Sequence, residues 1–141
     1  MFAGSGQLGI EALSRGAKEA YFVDSAAVSI KAVRENLRST GFEDRSHVIN
    51  MPFSAFLKST RATFDIAILD PPYDLKILQK ALPHLVDKMS ENGIIICEHE
   101  KECKLPHDLG RFEIAKVLRH SRTSVTIYRT KQTDEEEASA E

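Results

Sequence analysis

Cysteine is scarce in this chain: there are two in 141 residues, Cys97 and Cys103. A disulfide framework needs more, so a reducing cytoplasm is the expected setting. No apolar run approaches the length of a membrane span. The first residues are small and glycine-rich rather than basic and then apolar, so no signal peptide is expected. There is no internal repeat, and the length suits one domain with a real core better than two. A strong charge of either sign is missing too, the net being −2. That balance is unevenly spread. Residues 132–141 hold five acids (Asp134, Glu135, Glu136, Glu137, Glu141) and no Lys or Arg, and without them the net −2 becomes +3 on residues 1–131. The tail has no bulky apolar residue and is expected to be disordered. The remaining domain, residues 1–131, is mildly basic, which permits an RNA partner without requiring one.

What is present gathers around Asp70-Pro71-Pro72-Tyr73. It follows an apolar run, Phe64 to Leu69, that reads as a buried strand. Two prolines cannot continue that strand, because neither has an N–H to donate and each fixes φ. The chain must leave the sheet at the strand's carboxyl end, the edge where open α/β sheets bind ligands. A carboxylate, carbonyls freed from pairing and an aromatic ring there suit the edge and face of a planar amine. A rigid strand-to-helix turn is the rival reading.

Gly4, Gly6 and Gly9 fit G-x-G-x-x-G, the turn that lets backbone approach a nucleotide-like ligand and opens a helix. Ile10, Leu13 and Ala17 continue at helical spacing, and Arg15-Gly16 ends the helix. Only Met1, Phe2 and Ala3 precede the turn, too few for the central strand that should feed it. Ala20 to Val23 is a short strand closed by Asp24. Asp24 stands 20 positions after Gly4, where a carboxylate accepts from both ribose hydroxyls of a cofactor; a helix-capping aspartate is the alternative. Ile30, Val33 and Leu37 stripe the next helix, with Gly41 as its stop. His47 to Asn50 is a third strand. Phe53, Phe56 and Leu57 begin a short helix, and Phe53 is placed either near a ligand purine or in the core. After Tyr73, Leu75, Leu78, Leu82 and Leu85 keep helical spacing, and Pro83 is expected to kink or restart that helix. Asn92-Gly93 reads as the turn into a fully buried strand, Ile94 to Glu98. Lys101 to Gly110 is a polar connection. Phe112 to Leu118 and Ser124 to Tyr128 read as an antiparallel hairpin around His120-Ser121-Arg122. The alternation of strand and helix gives a doubly wound, mostly parallel α/β sheet with helices on both faces and a C-terminal antiparallel hairpin.

Phe2-Ala3-Gly4-Ser5-Gly6-Gln7-Leu8-Gly9-Ile10-Glu11-Ala12-Leu13-Ser14-Arg15-Gly16-Ala17, Phe22-Val23-Asp24, Glu35-Asn36-Leu37, Phe64-Asp65, Asp70-Pro71-Pro72-Tyr73 and Val125-Thr126-Ile127-Tyr128-Arg129 occur in this order. That set resembles the bacterial RsmD-type methyltransferases, which methylate the exocyclic N2 of a guanine in 16S ribosomal RNA with S-adenosylmethionine. The resemblance runs from Phe2 to about Arg129. It implies the Rossmann-like class I methyltransferase sheet, with strand order 3-2-1-4-5-7-6. It implies that Ala3, Gly4, Ser5, Gly6, Gly9 and neighbouring backbone cradle the methionine part of the cofactor, that Asp24 holds the ribose, and that Asp70, Pro71, Pro72 and Tyr73 hold the target base, with Asp70 also beside the cofactor. A cytoplasmic monomer acting on the small ribosomal subunit follows, with no membrane and no metal. Two departures bear on these expectations. The first central strand is missing from this chain, so strands 2 and 4 of that order would flank an empty slot, and low stability and activity are expected of it alone. Pro52 stands where members often carry an Asp near the adenine amino group, which leaves adenine to backbone and Phe53.

Other candidates are weaker. Cys97, His99, Cys103 and His107 match no common zinc spacing. Glu98 ends a strand and either lines the pocket or is solvated. Lys76, Lys80, Arg111, Arg119 and Arg122 suit RNA phosphates, with solvated surface charge as the rival for each. Two other functions stay open: a non-catalytic remnant that binds RNA or cofactor, and another enzyme, either a different amino-methyltransferase of nucleic acid or a nicotinamide oxidoreductase. The oxidoreductase shares the glycine turn and Asp24 but gives Asp70 to Tyr73 no task.

Overall fold

The computed structural model describes residues 6–70, 75–101 and 105–132. The acidic tail from Thr133 onward lies outside them. The elements in order are α1 (Gln7–Ser14), β1 (Ala20–Asp24), α2 (Ala27–Thr40), a 3-10 turn (Glu43–Arg45), β2 (Ser46–Asn50), α3 (Phe53–Ser59), β3 (Phe64–Leu69), α4 (Leu75–Val86), β4 (Met89–Glu100), β5 (Asp108–Leu109), β6 (Phe112–His120) and β7 (Thr123–Thr130). The strands form two sheets: β1 with β2, and a five-stranded sheet in the order β3-β4-β7-β6-β5. Counting β1 as the second strand of the expected order, these runs reproduce 3-2 and 4-5-7-6, with β5 added at the end. The fold is that of a class I methyltransferase. The chain divides into two compact units, one running to Arg61 and including Ile68–Asp70, the other holding Ala62–Ala67 and the rest.

In the first unit, β1 and β2 are parallel, from Ala20 opposite Ser46 to Asp24 opposite Asn50. The helical stripe is buried as the spacing requires: Ile30, Val33 and Leu37 all face inward. Leu13, Phe22, Val33 and Leu37 form the core, with Ile10, Ala17, Phe42 and Val48 packed around it. Each such buried side chain contributes about 1.5–3 kcal/mol. Gly41 ends α2 in the left-handed region, at φ 76°. The chain then turns so that the Phe42 N–H reaches the Leu37 carbonyl at 3.1 Å.

The second unit is antiparallel around β7, which pairs with β4 from Ile94–Arg129 to Glu100–Thr123. β7 pairs with β6 from Phe112–Thr130 to His120–Thr123, with a bulge between Ile114 and Lys116. The two-residue turn has Ser121 at φ 53°, the positive φ that tight hairpins call for at their first turn position. Leu82 and Leu85 of α4 are buried with Ile95, Cys97, Phe112 and Tyr128. The buried Tyr128 hydroxyl donates to the Pro106 carbonyl at 2.7 Å, and burial pushes its acidity well below that of an ordinary phenol.

Three expectations are corrected and one open segment is placed. First, β4 begins at Met89 and is not uniformly buried: Ile95 and Cys97 face inward, while Ile94 and Ile96 are partly open. Antiparallel partners leave a sheet face less covered than helices on both sides do. Second, Asn92-Gly93 lies inside β4. It is still a bend, because a Cβ on Gly93 would sit 3.1 Å from the Ser90 carbonyl oxygen, whereas residues three apart on a straight strand are separated by about 10 Å. Third, α4 runs unbroken through Pro83. Pro83 and Gln79 are exposed, so the carbonyl that Pro83 leaves unpaired meets water. The polar connection from Lys101 to Gly110, whose form the sequence left open, contains β5, whose Asp108 and Leu109 pair with Glu113 and Phe112.

In the first unit α1 comes close to β1 at Gly9, where a Cβ would lie 2.3 Å from the Phe22 ring. Gly9→Ala should therefore destabilise the protein by about 2 kcal/mol or more, by overpacking. Gly9→Ala with Phe22→Leu should recover part of that loss. Urea denaturation checks both, and an unchanged midpoint for Gly9→Ala would contradict the packing.

Candidate active site

The site is built from the ends of parallel strands and the helix that opens beside them. Gly6 is the residue before α1, in the left-handed conformation at φ 82°, ψ 7°. A side chain there would be strained by the backbone and would stand 3.2 Å from Val33. Its carbonyl accepts the first helical bond, from the Ile10 N–H at 2.9 Å. Gly6 and Gly9 both approach Phe22, which stands two residues before Asp24. The glycines thus bring the amino end of α1 to the carboxyl end of β1. Among the described residues, the first turn of α1 has no acidic residue and no capping side chain from Gly6, so its N–H groups favour an anionic ligand. The other end of α1 is held by Arg45, whose guanidinium donates to the carbonyls of Ala17 at 3.0 Å and Leu13 at 3.3 Å and lies over the Phe42 ring.

Asp24 ends β1 and is partly exposed. Its Oδ1 accepts from the Ala26 N–H at 2.9 Å. Ala26 is the residue before α2 and has no side-chain cap of its own, so Asp24 ties the turn that leads into that helix. The Asp24 carbonyl accepts from the Met51 N–H at 3.1 Å. The amide nitrogen of Asn50, the register partner of Asp24, faces the carbonyls of Asp24 at 3.2 Å and Ser25 at 3.1 Å. Asn50 therefore joins the two strand ends. Sequence reasoning passed over it, although its place as the last residue of a strand beside Asp24 was a usable signal.

Phe53 is the first residue of α3 and is buried with Phe56 and Leu57. Asp70 follows β3, after the fully buried Leu69. As a residue it is exposed, yet partial burial of its carboxyl pushes its pKa above the ordinary carboxylate value. Gly6, Gly9, Asp24, Phe53 and Asp70 all belong to the first compact unit. Ala3, Gly4, Ser5, Pro71, Pro72 and Tyr73 lie outside the described residues.

Away from these residues, Cys97 is buried and its thiol is pushed up to about 12 by desolvation, so it is no thiolate at neutral pH. His99 is engaged with the Thr126 hydroxyl at 2.7 Å and the Glu100 carbonyl at 2.9 Å. Cys103 lies outside the described residues. Arg111 is exposed but not idle. Its guanidinium donates to the carbonyls of Val86 at 2.7 Å and Met89 at 2.6 Å, closing the carboxyl end of α4.

The family described as "conserved hypothetical protein 95" matches residues 1–129. "Putative rRNA methyltransferase YlbH" of Bacillus subtilis is 37% identical over 135 residues, covering 92% of this chain and 73% of that protein. "Ribosomal RNA small subunit methyltransferase D" of Haemophilus influenzae is 32% identical over 136 residues, covering 93% and 68%. A crystal structure described as a "putative methylase" of Haemophilus influenzae superposes with a TM-score of 0.81 at 29% identity, covering 93% of this chain and 84% of its own.

The bond from Asp24 to Ala26 separates two roles in one side chain. Asp24→Asn keeps an oxygen for the Ala26 N–H and should leave stability nearly unchanged, whereas Asp24→Ala should cost about 1 kcal/mol. Equal denaturation midpoints for the two variants would contradict the role of that bond.

Proposed function

The chain belongs to the conserved hypothetical protein 95 family, that of the RsmD-type methyltransferases, and from that premise we propose that it methylates the exocyclic N2 amine of a guanine in 16S rRNA with S-adenosylmethionine. The observation that carries the reading is the glycine-built approach of α1 to β1 with Asp24 at the strand's end. The residues present fit this cofactor. The uncapped first turn of α1 suits the carboxylate of its methionine part. Asp24 offers a carboxylate to the ribose hydroxyls. Ala3, Gly4 and Ser5 belong to the same turn by sequence, and Phe53 lies beyond Asn50 on the side assigned to adenine. When bound, S-adenosylmethionine supplies a methyl group that is already electrophilic, so the chain's main task is positioning.

Asp70 and the loop after it hold the acceptor. A guanine amine is a poor nucleophile because its lone pair is delocalised into the ring. The Asp70 carboxylate and the Pro71 carbonyl would each accept one of its hydrogens, orienting the lone pair and favouring a pyramidal nitrogen. Pro72 fixes the loop's path, and Tyr73 would stack on the base. As the amine gains a bond its nitrogen becomes positively charged and sheds a proton readily. The raised pKa of Asp70 makes it a better proton acceptor than an ordinary carboxylate. A paired base cannot enter, so the guanine is unpaired or flipped out. The small ribosomal subunit, met by a monomer in the cytoplasm, is the proposed partner.

The test is incubation of the full chain with S-adenosylmethionine and small subunits that lack the modification, followed by mass spectrometry of the nucleosides. N2-methylguanosine should accumulate. Asp70→Ala should keep cofactor binding and lower transfer by about 100-fold or more. The acid limb of the pH–rate profile should lie above the usual carboxylate range, because transfer needs Asp70 ionised, and it should disappear in Asp70→Asn. Unchanged transfer in Asp70→Ala, or a methyl group on another base, would contradict the proposal.

A further inference from the structure

No acidic residue stands between Glu113 and Asp134, a stretch of twenty residues that holds Lys116, Arg119, Arg122, Arg129 and Lys131. The fold makes this stretch the β6–β7 hairpin, with Arg119 and Arg122 at its turn, Lys116 further along β6, and Arg129 and Lys131 at the other end. The turn is Ser121-Arg122, and Arg119 pairs opposite Ser124 beside it. The Lys101 N–H donates to the Arg122 carbonyl at 3.1 Å, which adds a cation at the same tip. Lys131 is engaged with Asp108. Lys101, Lys116, Arg119 and Arg122 are exposed, and none of them makes an ion pair among the described residues. Glu98 and Glu100 are on β4, and β7 lies between β4 and β6, so their backbone is about 10 Å from that of the β6 cations; Glu100, opposite Thr123, is the acid nearest the turn.

The strand carrying these cations is unusually open. Every residue from Ala115 to His120 is exposed, on both faces. β5 pairs only with Phe112 and Glu113, so beyond it the outer edge of β6 has no partner strand among the described residues. An open edge invites another strand, but this one carries the features that discourage it: a lysine and an arginine along the edge and a bulge after Ile114. The charge suits a polyanion instead. Lys116 and His120 are about 13 Å apart along the strand, long enough to follow a nucleic-acid backbone past more than one phosphate.

We propose that the free end of the β6–β7 hairpin, with Lys116, Arg119 and Arg122 as its contacts, binds the phosphodiester backbone of the RNA substrate. The choice of RNA rests on the methyltransferase reading above, and the surface itself rests on charge and exposure. It positions the substrate and carries no sequence information.

The experiment measures binding of the full chain to 16S rRNA transcribed in vitro, across a range of salt concentrations. Lys116→Gln/Arg119→Gln/Arg122→Gln should bind about tenfold more weakly at 0.15 M salt. The slope of log K against log salt should fall by about two to three, one phosphate contact being lost per cation. Titration with S-adenosylmethionine and the melting temperature should be unchanged. Arg122→Gln alone, at the exposed turn, should lower the slope by about one. A control, Lys18→Gln/Lys31→Gln/Arg34→Gln, removes the same charge from the first unit and should bind as the parent does. The surface is overturned if the hairpin variant keeps the parent's affinity and slope, if the control loses as much, or if the parent is a dimer that the hairpin variant dissolves. Methyl transfer with an unaffected hairpin variant overturns this surface alone. A parent that neither binds nor methylates RNA overturns the methyltransferase reading as well.

Discussion

A methyl hydrogen's width separates this site from one that could not form. Gly9 lies so close to Phe22 that any side chain would enter its ring, and Gly6 carries a backbone conformation that other residues adopt at a cost. Because both are glycine, α1 settles onto β1 with its amino end beside the strand's last residues. The rest of the first unit follows. Leu13 and Ile10 reach Phe22, Val33 and Leu37 to close the core. Arg45 holds the far end of α1. Asp24 is left at a strand end with one oxygen tied to the next turn. On the proposed reading, a ligand at this edge would meet the first N–H groups of α1 and the Asp24 carboxylate.

Gly6, Gly9 and Asp24 were legible in the sequence because each answers a local requirement. A missing Cβ and a strand's last residue are written at the positions where they act. Strands and helices were legible for a related reason: periodicity at Ile30, Val33 and Leu37 reports one buried face whatever covers it. The errors came where a neighbour decides. Ile94-Ile95-Ile96 reads as a strand covered on both sides, but its partner β7 runs antiparallel and one face stays partly open. Pro83 does not restart the helix, because α4 runs through it with Pro83 and Gln79 both exposed, and exposure is not visible in a string of letters. Arg111 reads in the sequence as a surface cation, and Arg45 carries no signal there at all. Each donates to carbonyls more than 20 residues away, a pairing that no local pattern encodes.

Those two arginines show how the two units solve one problem alike. A helix end leaves carbonyls without partners. In each unit a guanidinium from a later segment donates to them and lies over a neighbouring aromatic ring, Phe42 for Arg45 and Phe112 for Arg111. Arginine suits this work because it presents several donors in one plane and keeps its charge at any physiological pH. The cations left over, on the β6–β7 hairpin, have no such employment within the described chain. The separation between structural and free arginines is therefore readable only from the fold.

The account stands or falls on where a cofactor lies. A crystal structure of the chain with S-adenosylhomocysteine is the most direct measurement. The ribose hydroxyls should lie within hydrogen-bond distance of Asp24, the amino-acid end should meet the first turn of α1 at Gly6, and Asp70 should border the sulfur. Ligand density elsewhere, or an Asp24 carboxylate without contact to the ribose, would contradict it.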